Sequence, residues 1–458
     1  MTETARNPLG TENIGKLLRQ FAVPSVIAML VSALYNMVDQ FFIGHSIGML
    51  GNAATNVAFP LTTTCTALAL LSGIGGAANF NISMGRKDPE KARRFMGSAF
   101  SMLIALGVVL CLVARCFLEP MMVAFGATDE TLAYAMTYTG ITSFGFPFLI
   151  LTTGGTNLIR GDGSPRYSMM CNLVGALINT VLDPLFIFVF DWGMAGAAWA
   201  TVTGQVVSGL MVLGYIPRFK TLKLKLSDFR LDPKYCLPIV SLGLTPFFNQ
   251  VAMMAVQVVL NNTMTHYGAL SVYGSDIPLA CSGIIAKVGM IFFSVVIGIC
   301  QGMQPIVSYN FGAGNFRRVK DTVLIACKAA LAISLVAFSC FQLFPRQIIG
   351  LFGGGTEEYF RFAEQYFRVY MFFTCVNFLQ PISSNFFTSV GMPKRGVFLS
   401  LTRQIIFLLP LLVILPMFMG IDGAMYAAPI ADFIAAVLAI VFIRAQFKSM
   451  QDFNASEK

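Results

Sequence analysis

Residues 178–184 read INTVLDP, placing Asn179 and Asp183 four apart in a stretch that is otherwise apolar from Tyr167 to Phe190. An ionised side chain in the middle of a bilayer-spanning helix costs about 2.5–3.5 kcal/mol on insertion scales, and such a residue marks a substrate or ion path. On a helix the i, i+4 spacing stacks amide and carboxylate on one face, so both reach the same small cation or proton network. A second acid in an apolar run, Asp39 in YNMVDQFF, also lies four residues from a polar partner, Tyr35. Depth counted from the basic residues Arg19 and Arg166 puts both acids in the outer half of the bilayer, with Thr201 of the following span at a comparable level. Carboxylate, amide and hydroxyl oxygens are hard ligands, so Asp39, Tyr35, Asn179, Asp183 and Thr201 suit either H+ or Na+. The bland alternative makes Asp39 interfacial and Asp183 a cap beside Pro184.

The composition agrees with a membrane setting. Of 458 residues, 56% are hydrophobic and 12% charged, and the mean hydropathy of +0.71 excludes a soluble globular chain. Twelve apolar runs are long enough to span, at about 21–44, 54–84, 95–118, 134–158, 167–190, 195–216, 237–265, 278–308, 321–343, 362–388, 397–418 and 423–443. The net charge of +9 does not point to nucleic acid, because Lys and Arg concentrate in alternate loops and both tails. That pattern predicts a multi-pass protein of the cell (plasma) membrane with both termini cytoplasmic. Ten scattered cysteines give neither a disulfide framework nor a zinc site. The glycine cluster SGIGGAA sits inside an apolar run, where small residues serve helix packing. No Walker-type loop is present, so energy comes from a gradient and not from ATP.

The basic, proline-bearing stretch RFKTLKLKLSDFRLDPKY divides the chain into lobes at 1–217 and 237–458, joined by a cytoplasmic linker at 218–236. The second half repeats the first at an offset of about 222–228 residues: Pro24 falls on Pro246, SMGRKDPEKA on NFGAGNFRRV, NLIRGDGSPR on NFFTSVGMPK and GMAGAAWAT on GIDGAMYAA. Each repeat holds six spans, so the pseudo-two-fold axis runs along the membrane normal. The predicted fold is all-α: twelve transmembrane helices in two pseudo-symmetric six-helix lobes around a central cavity. The repeat fails where chemistry begins. Asp39 falls on Asn261 and Asp183 near Pro410, whereas Lys287, Arg403 and Asp432 are intramembrane charges of the second half only. Arg403 and Asp432 read as a structural ion pair, which makes such charges tolerable. Tyr138, Asn157, Asn261 and Lys287 are further candidates, for a substrate cavity.

The two six-span repeats, VDQFFIGHSIG, GRKDPEKA, RGDGSPR and LDPLFIF together resemble the multidrug and toxic compound extrusion (MATE) transporters, part of the larger group that also holds lipid-linked flippases. In one branch of that family the first lobe holds a cation site, whose pattern is similar to Asp39, Tyr35, Asn179, Asp183 and Thr201 here, with a bending proline at Pro24. The other branch places its acids in spans seven and ten, where this sequence has Asn249, Gln250 and Gln257 and no interior carboxylate. The resemblance implies a secondary antiporter, not an enzyme, needing no cofactor beyond a coupling ion, H+ or Na+. Its expected substrates are organic cations, drugs and dyes, and the protein is expected to act as a monomer in the lipid bilayer, with no metal beyond Na+. A flippase for a lipid-linked sugar is the alternative, and it calls for a cationic cavity, to which only Lys287 and Arg403 contribute.

Overall fold

A computed structural model describes residues 7–274, 276–352 and 356–456, and among them the regular structure is helical throughout. Among the described residues ten helices are long and apolar enough to cross a membrane. Spans one to three are Ile14–Ile47, Met49–Gly85 and Pro89–Cys116; five and six are Pro165–Pro184, continued by a π turn at Leu185–Val189, and Gly193–Tyr215. In the second half they are Pro233–Ala269, Asp276–Gly312, Phe316–Leu343, Pro393–Met419 and Ile421–Ser456. Helix starts follow ordinary capping chemistry. Proline stands at the first turn of spans three, five, seven and eleven, where its missing N–H costs nothing. Asp88 and Asp232 accept from the first-turn N–H groups of Lys91 and Lys234 at 3.0 and 2.9 Å.

The remaining two of the twelve spans are broken. Span four runs Asp129–Thr142, passes through a 3-10 turn at Ser143–Gly145 and resumes as Phe146–Gly161. Span ten runs Glu357–Tyr370, passes through Phe372–Cys375 and resumes as Leu379–Ser389. The two begin 228 residues apart, at Asp129 and Glu357, and end 228 apart, at Gly161 and Ser389. The turns that follow repeat as well: Gly163 and Gly391 both take a left-handed conformation that a side chain would strain. The interruption is therefore a feature of the repeat and not of one sequence. Spans five and eleven also carry π segments, but at positions that do not correspond: Leu185–Val189 and Thr402–Leu408.

Two hydrophobic clusters form, one in each half of the molecule. The first turns of span one cross over: Leu17, Leu18, Phe21 and Ala22 are buried in the second-lobe cluster. The lobes meet through spans one and two against seven and eight, and glycine allows backbones to touch there. A Cβ on Gly243 would stand 1.9 Å from the Leu71 carbonyl oxygen; on Gly75 it would stand 2.0 Å from that of Ile239, and on Gly312 2.1 Å from that of Ile82. Gly298 and Gly302 accept the Val26 and Ala22 backbone in the same way. All of these lie in the half of each helix nearer the basic end. Among the described residues the hydrogen bonds between lobes lie there too, including Asn79 to the Pro238 carbonyl at 3.1 Å and Gln304 to that of Ile74 at 3.1 Å. The lobes are sewn together at the basic face.

The stretch between the lobes is docked and does not hang free. Asp228, wholly buried, receives Arg93 at 2.8 Å and Arg94 at 3.8 Å from span three. Ser101 and Ser98 donate to the carbonyls of Phe229 and Arg230 at 2.6 and 3.3 Å. Asp162, after span four, accepts from the N–H groups of Lys220 and Thr221 at 2.8 and 3.0 Å, from the Tyr215 hydroxyl at 2.7 Å and from the Thr221 hydroxyl. Burial pushes the Asp162 carboxyl above the usual range, against the pull of those donors.

Candidate functional site

Span five delivers Asn179 and Asp183 one turn apart on its buried face, and both are almost free of solvent, at 3% and 0% exposed. Span six runs back alongside through small residues, Gly196, Ala197, Ala200 and Gly204, which bring its backbone against span five. Thr201 thereby reaches Asn179. With the amide nitrogen toward the carboxylate, Asn179 donates to Asp183 at 3.2 Å, and its oxygen accepts from the Thr201 N–H and hydroxyl at 3.2 Å each. Span one brings Asp39 from the opposite wall, 7% exposed, to within hydrogen-bonding reach of the Asp183 carboxyl. Tyr35, one turn before it, stands beside both acids.

No Lys, Arg or His makes an ion pair with either acid among the described residues. One oxygen of Asp39 has no hydrogen-bond partner. A cavity of about 90 Å³ opens next to the cluster, lined by Ser32, Tyr35, Thr152, Asn172, Thr201 and Gln205 among others. Thr152 Oγ1 and Gln205 Oε1 are also unpartnered. The space is polar and large enough for water.

The other sequence candidates separate. Tyr138, expected in a substrate cavity, instead enters the acid cluster: its hydroxyl reaches Thr201 and it faces Asp39, Tyr35 and Asp183. The broken span four supplies it, and nothing in the spacing of that span announced its rotation toward span six. Asn157 does not line an open cavity. It is 4% exposed and holds the buried Arg160 at 2.9 Å while donating to the Thr153 carbonyl at 2.8 Å. Arg160 sits next to the basic residues of the loop after span four in the sequence, yet it is 2% exposed and turned inward to Asn157 and Ser168. Asn261 accepts from Gln257 at 2.9 Å on its own helix. Lys287 is exposed and makes no ion pair among the described residues. Arg403 and Asp432 are bonded to each other, and Asn377, from the break in span ten, donates to the other Asp432 oxygen at 3.2 Å. The Arg403 guanidinium also lies 5.6 Å from the Phe293 ring centroid. Pro24 is buried inside an uninterrupted helix, fifteen residues before Asp39.

Comparison with known proteins places this architecture. The MatE family model matches twice, at residues 24–185 and 250–414, once in each repeat. The multidrug export protein MepA of Staphylococcus aureus is 25% identical over 431 residues, 93% of each chain. MepA of Staphylococcus saprophyticus is 24% identical over 434 residues, 94% of each. A solved outward-facing structure of a multidrug resistance MATE family transporter superposes with a TM-score of 0.90 at 22% identity, covering 97% of this chain and 98% of that one. With the family model covering both repeats of a twelve-span, two-lobed fold, the chain belongs to the MatE family of multidrug and toxic compound extrusion transporters: it is a membrane transporter and not an enzyme.

Proposed function

We propose that this protein exports organic cations and amphipathic drugs or dyes across the plasma membrane in exchange for inward H+ or Na+. One observation carries the reading: two buried carboxyl groups, Asp39 and Asp183, face each other inside an apolar lobe, and among the described residues no Lys, Arg or His pairs with either. Two such anions repel strongly at low dielectric, so an exchangeable cation or proton has to supply the missing charge. Asn179, Thr201, Tyr35 and Tyr138 complete an oxygen-rich shell suited to either ion.

Coupling then follows from differential contacts. Loading the acid pair draws span one toward spans five and six, and Pro24 removes one backbone hydrogen bond from span one four turns away, giving the helix a place to bend. The ion biases the straight and bent forms only by the difference in its contacts with each. The basic face, assigned to the cytoplasm by its charge, is closed by the glycine seam, the closure that an outward-facing state requires. The two lobes, 1–217 and 237–458 in the chain, rock against each other in a monomer, with the first turns of span one moving with the second lobe in whose core they are buried. The flippase alternative loses support because Asp432 neutralises the Arg403 charge, one of the two intramembrane cations that reading would use.

The test is transport in proteoliposomes with an imposed H+ or Na+ gradient and a panel of cationic dyes. Efflux driven by one gradient and abolished by its collapse is the expected result; gradient-independent dye movement would overturn antiport.

A further inference from the structure

At the basic face the two repeats end differently. In the second lobe, Asn310 at the end of span eight and Arg318 in the first turns of span nine hold the segment that precedes span one. Asn310 donates to the Leu9 carbonyl at 2.9 Å, and Arg318 donates to the carbonyls of Leu9 and Glu12 at 3.2 and 2.7 Å. The corresponding residues of the first lobe, 227 positions earlier, are Ser83 and Lys91. By the same repeat the chain before span seven should fill their corner. It does not, because Arg93, Arg94, Ser98 and Ser101 hold that chain further along span three. What is left is a pocket of about 190 Å³ lined by Asn79, Ser83, Arg86, Lys91, Phe95 and Lys234.

Three cations thus surround a space whose counterpart is filled by carbonyl oxygens. The nearby carboxylates are committed elsewhere: Asp88 and Asp232 cap helices through Lys91 N–H and Lys234 N–H, and Glu90 lies 4.0 Å from Arg93. Among the described residues no carboxylate pairs with Arg86, Lys91 or Lys234; the Lys234 ammonium stands 5.8 Å from the Tyr235 ring centroid. Leu231 and Leu237, three residues to either side of Lys234 in the chain, are exposed apolar side chains at 53% and 68%. Basic pockets between spans with an apolar rim at the membrane surface suit anionic lipid headgroups.

We propose that this pocket binds the phosphate of an anionic phospholipid, such as phosphatidylglycerol or cardiolipin. Its oxygens take the place that the Leu9 and Glu12 carbonyls occupy in the other lobe, and its chains lie over Leu231 and Leu237. The walls come from spans two and three of one lobe and span seven of the other, so a bound headgroup also ties the lobes together beside the Asn79 to Pro238 hydrogen bond.

Native mass spectrometry of the full chain, released from micelles doped with equal phosphatidylglycerol and phosphatidylcholine, tests this. The wild type should retain one phosphatidylglycerol in preference. Affinity should fall about fivefold for each cation removed in Arg86→Gln, Lys91→Gln and Lys234→Gln, while Arg166→Gln with Arg317→Gln and Arg444→Gln, an equal loss of charge elsewhere, should retain the lipid. Equal retention by the pocket variant and wild type, or no preference for the anionic lipid in wild type, overturns the proposal. Inorganic phosphate titrated into lipid-free protein separates the sources: thermal stabilisation by phosphate alone, without lipid retention, overturns the lipid and leaves a soluble anion. Should the triple variant unfold, Lys234→Gln alone, at an exposed position, gives the same readout with one fivefold step.

Discussion

At the scale of single residues, the acid pair makes the sharpest demand. Asp39→Asn and Asp183→Asn each remove a carboxylate that no Lys, Arg or His pairs with among the described residues, so neither should lower the yield of folded protein, and both should abolish gradient-driven efflux. Transport assays beside size-exclusion profiles check this; wild-type coupling in either variant removes that acid from the site. Arg403 and Asp432 predict the opposite pattern. Removing one partner leaves a buried unpaired charge, a loss of about 3–5 kcal/mol, so Arg403→Ala should lower thermal stability more than Arg403→Ala with Asp432→Ala does. Melting curves in detergent decide it. Spacing on one helix made Asn179 and Asp183 legible as a unit, and depth from the basic residues put Asp39 and Thr201 at their level. The place of Tyr138 beside Thr201 is not legible in the sequence, because rotation about the axis of a broken span is set by packing against its neighbours and not by residue count. Arg160 looked like a loop charge because it sits among them in sequence; only the fold turns it inward.

Among the elements, the sequence announced twelve apolar runs but not that two of them break. Span four reads as one run because Ser143, Phe144 and Gly145 are compatible with a membrane helix; the 3-10 turn arises from tertiary packing, with Gly145 closely approached by the Gln205 side chain. Under the exchange mechanism proposed above, span one is the coupling element. Pro24→Ala restores a continuous hydrogen-bond ladder, so the variant should still bind a fluorescent substrate, yet adding the coupling ion should no longer displace it. Displacement titrations with H+ and then Na+ measure this, and unchanged displacement would remove the hinge. The linker, legible as a boundary from its charge and prolines, gave no hint that it docks. Asp228 anchors it through buried ion pairs with Arg93 and Arg94, so Asp228→Ala, which leaves both guanidinium groups without their carboxylate, should raise tryptic cleavage at Lys220, Lys223 and Lys225 roughly tenfold or more. Cleavage at the wild-type rate would mean that the Ser98 and Ser101 bonds suffice.

For the whole molecule, closure at the basic face depends on backbones meeting without side chains between them. Gly243→Val would drive a side chain into the Leu71 carbonyl, which is 1.9 Å from the first added carbon, so the closed seam should be excluded. Spin labels on the basic ends of spans two and seven should then report a longer, broader distance distribution than in wild type, with transport lost. An unchanged distribution would show that the seam can yield by shifting helices. The internal repeat was legible at this scale because turn motifs recur at a fixed offset even where apolar residues do not. The exchange of partners at the start of span one was not, since an apolar helix carries no mark of which lobe it will join.

That exchange has a consequence for how the protein is made. Leu17, Leu18, Phe21 and Ala22 leave the ribosome well before the surface they bury against, including Val296, Ile299, Cys300 and Met303, which is about 280 residues downstream. At about 5–20 residues per second, the opening turns of span one wait roughly 15–60 s for it. During that interval the nascent chain holds an apolar helix end with only lipid or the insertion machinery as company, and the first lobe cannot be finished by its own residues. Biosynthesis of this transporter is therefore completed backwards, its earliest segment being among the last to reach its native neighbours.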